Sequence, residues 1–189
     1  MDALMIVLVV TLLSQAGGRL SGFAERLAER TGRAMPVLAG VMLAQGILAV
    51  VAIRIGIMLG PQVTPETRTL LLAVALTLVG IGMMGRLPRP GSPFGSVHLG
   101  VFGIATLGAG WILLMESGPV LIAIAAARSP LPWAAWPGAM LGLAGALLPA
   151  ILLGTREWRR LAWRAIRVFG GAALILSGII VGLSVKGLI

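Results

Sequence analysis

The sequence holds no cysteine, no tyrosine, a single histidine and only six acidic residues in 189. The missing cysteines exclude disulfides and thiolate metal sites, although they do not identify a compartment. There is no nucleophile–base set, no Gly-rich phosphate loop and no metal-protease spacing, so an enzyme is not expected. No resident cofactor is expected either. Charged residues are scarce, at 11%, and hydrophobic ones make up 58%. A soluble domain of this size could not cover its surface with so few polar residues. The mean hydropathy of +1.03 points instead to an all-α integral membrane protein. The net charge of +9 would suggest nucleic acid in a soluble chain. Here Lys and Arg stand between apolar runs, where topology signals lie, and no nucleic-acid partner is expected.

Spanning helices need about 20 mostly apolar residues. The candidates are 3–30 (interrupted), 36–59, 68–85, 99–127 (interrupted), 133–154 and 164–185. These make about six transmembrane helices. The first apolar run ends in "LLSQA", a small-x-small pattern, but Met1-Asp2 carries no positive charge, so the segment is kept as mature structure. The stretch 86–98, "RLPRPGSPFGSVH", reads as a linker between a first half, 1–85, and a second, 99–189. It ends in His98, to which no role is given.

Basic residues gather in the first, third and fifth connections: Arg26, Arg30 and Arg33; Arg86 and Arg89; Arg156, Arg159, Arg160, Arg164 and Arg167. The second and fourth carry Arg68 and Arg128. An inner-membrane, multi-pass chain with both termini on the non-cytoplasmic face is expected. Trp133 and Trp136 fall at one interface and Trp158 and Trp163 at the other, as an aromatic belt does.

Shifted by 101 residues, "LLSQAGGRL" (12–20) lands on "LLMESGPVL" (113–121) without a gap. Gly17 meets Gly118, and further on Ala34 and Pro36 meet Ala135 and Pro137. The polar pair Gln15 and Glu116 also coincides. Each half has three spans, an odd number, so two such copies would lie inverted in the membrane. Both polar stretches interrupt a span near its middle. Gly and Pro there free backbone carbonyls, which is tolerated at membrane depth only beside protein or a wet cavity. Paired breaks are the best sequence pointer to a transport site.

At these breaks the sequence resembles the Gdt-type cation exchangers, which carry E-x-G-D-[KR]-[ST] in the first helix of each three-helix half. The likeness extends along nearly the whole chain, including "ERTGRAMPVLAGVMLA" (29–44) and "AARSPLPWAAWPGAML" (126–141). It implies two inverted three-helix repeats and an antiporter exchanging manganese or calcium for protons. The motifs depart from the pattern. In the first, Gln15 replaces Glu, Gly17 is kept, Gly18 replaces Asp, Arg19 keeps the basic position and Leu20 replaces the hydroxyl residue. In the second, Glu116 and Gly118 are kept, while Pro119, Val120 and Leu121 replace the rest.

Mn²⁺ and Ca²⁺ need about six or more oxygen ligands, with carboxylates to offset lost hydration. The family pattern supplies four acids; here Glu116 stands alone as a metal-ligating candidate. Asp2, Glu25, Glu29, Glu66 and Glu157 all fall at predicted ends or connections. Neutral oxygens are available from Thr11, Ser14, Gln15 and Ser117. The transport-site candidates are thus Glu116, Gln15, Arg19, Gly17, Gly118, Ser117 and Ser14. If the motifs face each other across the repeat axis, Arg19 is expected to pair with Glu116 and stand in for the lost cation.

The stretch 19–33 is amphipathic, with Leu20, Phe23, Ala24 and Leu27 at helical spacing. It is expected either to lie along the interface or to continue the first helix as a long projection. Arg54 is expected to snorkel, Gln45 to join helices, and the many glycines to allow close packing. The expected function is secondary transport with an altered cargo, a cation coupled to protons at Glu116. The alternative is a pseudo-transporter serving as a membrane scaffold. The expected partners are the lipid bilayer and a second copy of the chain or another membrane protein.

Overall fold

A computed structural model describes residues 2–85, 100–152 and 163–185. The linker expected at 86–98, with Arg86, Arg89 and His98, lies outside them, as do Arg156, Glu157, Trp158, Arg159 and Arg160. The described chain is all-helical: α1 (Asp2–Gln15), α2 (Arg19–Thr31), α3 (Ala34–Leu59), α4 (Pro65–Met84), α5 (Val101–Leu114), α6 (Gly118–Arg128), α7 (Ala135–Leu152) and α8 (Trp163–Val185). Short 3-10 turns at Gly60–Gln62 and Pro132–Ala134 lead into α4 and α7.

Among the described residues four segments are long and apolar enough to cross a membrane by themselves; they contain α3, α4, α7 and α8. The 14 residues of α1 rise only about 21 Å, short of a hydrocarbon core of roughly 30 Å. The same holds for the 14 residues of α5. Each passes only with the helix that follows it, and each such pair is bent: α1–α2 by 60° and α5–α6 by 68°. The chain is a polytopic helical membrane protein. Its exterior agrees: Phe169 is 76% exposed and Met58 72%, which suits lipid and not water.

Local chemistry sets the helix ends. Thr64 caps α4 by accepting from the Thr67 N–H at 3.4 Å, with Pro65 at the first position and Glu66 in the first turn. Gly32 ends α2 with φ +64°, a left-handed conformation that other residues enter only at a cost. The bend after Gln15 removes the expectation of one long projecting helix. Leu20, Ser21 and Ala24 bury one face of α2 against α3, α5 and α7. Glu25 is buried on that same face and not at a solvated end, because it stands four residues, one turn, after Ser21.

Glycines let the helices meet backbone to backbone. A Cβ on Gly142 would lie 2.6 Å from the Leu8 carbonyl oxygen, at the α7–α1 crossing. One on Gly80 would lie 2.6 Å from the Gly171 carbonyl oxygen, at the α4–α8 crossing. Gly40 meets α5, and Gly56 meets the Ala123 carbonyl of α6. The most extensive contacts are α4 with α8, α1 with α7, and α3 with α5. Two apolar clusters result. One joins α1, α3, α4 and α6, with contributions from α7 and α8; the other joins α2, α3, α5 and α7.

Away from the breaks, arginines fasten helix ends. The Arg54 guanidinium lies 5.3 Å from the centre of the Trp133 ring, so both have a partner besides the interface. Arg68 donates to the Val63 and Ala127 carbonyls at 2.9 and 3.3 Å, tying the start of α4 to the end of α6. Trp136 donates to the Gly46 carbonyl at 3.3 Å. Gln45 is buried within α3.

Candidate functional site

The two breaks lie at Ala16–Gly18 and Met115–Ser117. The first is a tight turn. Gly17 takes φ +63°, and a Cβ there would lie 2.8 Å from the Trp163 ring. Gly18 then enters α2 in an extended conformation, with Ser21 donating to its carbonyl at 3.0 Å. The second break has no positive φ: Ser117 has φ −74° and ψ −3°, and Pro119 occupies the first turn of α6. Glycine is therefore demanded by conformation at Gly17 and not at Gly118, where a Cβ would meet nothing within 4 Å among the described residues.

A hydrogen bond crosses between the breaks. The Gln15 amide Nε2 donates to Glu116 Oε2 at 2.6 Å. These residues are 101 positions apart, the same offset that superposes the two sequence motifs. Gln15 is 3% exposed, and its Oε1 has no hydrogen-bond partner among the described residues. The Arg19–Glu116 pair expected from the sequence is not formed as a hydrogen-bonded ion pair: the amide of Gln15 occupies that carboxylate oxygen. Arg19 acts on Glu116 through its charge from the wall of the same cavity.

That cavity has a volume of about 210 Å³. Its polar wall is formed by Thr11 and Ser14 of α1, Arg19 of α2, Glu116 and Ser117 of the second break, and Arg167 of α8. Gly118 borders it; Gly17 and Gln15 stand just behind. Ser14 donates to the Thr11 carbonyl at 3.2 Å, so its lone pairs stay available. The other six candidates thus lie round Glu116, on the same wall or directly behind it.

Arg167 is the residue the sequence reading misplaced. Its place in the sequence puts it in a connection as a topology charge, yet it lies in the second turn of α8 and is 8% exposed. Its Nε donates to the Met83 carbonyl at 3.2 Å and its Nη1 to the Gly17 carbonyl at 3.4 Å. It therefore satisfies a carbonyl at the α1–α2 break and another at the end of α4. A signal was present: Arg167 precedes Gly170, Gly171, Leu174 and Gly178 at helical spacing, and these are the buried face of α8. Its place beside four other arginines hid it.

Among the described residues no three His, Cys, Asp or Glu side chains come together as a metal site. Glu116 is the one carboxylate on the cavity wall, and two guanidinium groups face it. Such a wall can hydrogen-bond and carry charge, but it offers a dication one anionic ligand where several are needed. No protein-family model, curated protein or solved structure matches this chain.

Proposed function

We propose that the chain is a secondary transporter of six spans in two inverted three-helix repeats, a divergent relative of the Gdt-type cation exchangers with an altered central site. One observation carries it: the Gln15–Glu116 hydrogen bond joins equivalent positions of the two motifs. Equivalent residues can touch only close to the axis that relates their halves, so the bond would mark that axis and the centre of the site. Reciprocal packing supports the same plan. The first helix of each half lies on the third helix of the other, α1 on α7 and α5 on α3. Helix limits also recur at the same offset, with α3 and α7 starting at 34 and 135 and α4 and α8 ending at 84 and 185. Discontinuous helices around a central cavity are how such transporters present polar groups at membrane depth.

The single wall carboxylate favours a second reading, a pseudo-transporter that keeps the scaffold as a membrane interaction partner. Solute flux in proteoliposomes decides between them. Gradient-driven flux of a small solute that changes in Glu116→Gln is the expected result. Absence of flux for manganese, calcium, protons and small anions alike would leave the scaffold.

A further inference from the structure

We infer that the central cavity takes a small monovalent anion, held between Arg19 and Arg167; this deepens the transporter reading and rests on it for the step from binding to transport. The ionisable groups on the wall are Arg19, Arg167 and Glu116, a formal sum of +1. A monoanion brings the site to zero, whereas a dication would bring it to +3. At membrane depth, where charge is poorly screened, that difference decides the class of ligand.

The hydrogen-bonding state of each group agrees. Glu116 already accepts from Gln15 on one oxygen. Arg167 spends its Nε and Nη1 on the Met83 and Gly17 carbonyls, which leaves Nη2 without a partner among the described residues. The Arg19 side chain has no hydrogen bond among them. The open valences of the two arginines are all donors, beside the hydroxyls of Thr11, Ser14 and Ser117 and the second oxygen of Glu116. Two helices also begin at the wall, α2 at Arg19 and α6 at Gly118, and neither has a side-chain cap. Their positive ends add to the field of the arginines, against the negative ends of α1 and α5 at the same breaks. The open space at Gly118 lets a ligand approach the backbone. A volume of about 210 Å³ gives room for chloride, nitrate or a short carboxylate.

Thermal unfolding of the full chain in detergent tests this. Sodium chloride, nitrate and acetate are titrated against sodium gluconate at constant ionic strength, with Mn²⁺, Ca²⁺ and glycine in parallel. The expected result is saturable stabilisation by at least one small anion, acetate alone indicating a carboxylate cargo and chloride or nitrate an inorganic one. Arg19→Gln should weaken it by about tenfold or more, and Arg19→Lys should retain most of it. Glu116→Gln gives the sharper sign: it removes the negative charge and should tighten anion binding, while a cation site would lose its ligand. No saturable anion effect, binding of glycine alone, or metal binding abolished by Glu116→Gln would overturn the inference. Anion binding without flux in proteoliposomes would remove the transporter reading and leave the anion site; cation flux without anion binding would do the reverse.

Discussion

Gly17 and Gly118 occupy equivalent places in the two motifs, yet alanine should affect them in opposite directions. At Gly17, φ is +63°, and an L residue pays about 1–2 kcal/mol to enter that region. The new Cβ would also lie 2.8 to 3.0 Å from three carbons of the Trp163 ring, so the ring must shift, and overpacking of this kind costs about 1–3 kcal/mol. The shift would disturb the Gly17 carbonyl that Arg167 holds at 3.4 Å. At Gly118 the backbone is ordinary and, among the described residues, nothing lies within 4 Å of the added carbon. Alanine there should be neutral or stabilise by up to about 1 kcal/mol, through helix propensity. Thermal unfolding followed by circular dichroism in detergent reads the difference. With roughly 2–4 °C per kcal/mol for a chain of this length, Gly17→Ala should melt roughly 5–15 °C below Gly118→Ala. Tryptophan emission should shift in Gly17→Ala as Trp163 is displaced. Equal melting of the two variants would refute the left-handed turn and the close contact with Trp163.

Three further outcomes are expected. Gln15→Leu should destabilise by about 1.5–3 kcal/mol, as loss of a hydrogen bond to a charged group does, and a double-mutant cycle with Glu116→Leu should return a coupling of similar size; additive effects would mean that the two side chains do not interact. Gly142→Leu should lower stability by at least about 1–3 kcal/mol, because its side chain would drive into the Leu8 carbonyl, and unaltered unfolding would rule out the α1–α7 crossing. A reporter fused after Ile189 should report a non-cytoplasmic end, as the arginine distribution requires, and cytoplasmic activity there would reverse the topology.

The breaks were legible because Gln15, Gly17, Gly18 and Ser117-Gly118-Pro119 interrupt otherwise unbroken apolar runs, and apolar length is what a bilayer selects. The amphipathic face of α2 was legible for a similar reason, since period alone places Leu20 and Ala24 together. Arg167 and Glu25 were not. Charge type and position between apolar runs assign both to the membrane surface, and only the register of the folded helix carries them inward. The partner of Glu116 was missed on the same ground. Long-range charge attraction favoured Arg19, but short-range geometry gives the bond to Gln15, whose amide stands directly opposite.

The packing of α1 on α7 also says something about time. α1 leaves the ribosome more than a hundred residues before the helix it rests on, and cannot bury itself until α7 exists. A soluble chain that exposed such a helix through so long an interval would aggregate. Lipid shelters the apolar body of such a helix in the meantime, while its broken end needs protein or water beside it. The wait demands that every face tolerate hydrocarbon, and from Ala3 to Leu13 the helix carries no charge and only one hydroxyl, that of Thr11. Its uniform greasiness is thus a record of the order of synthesis as much as of the finished structure.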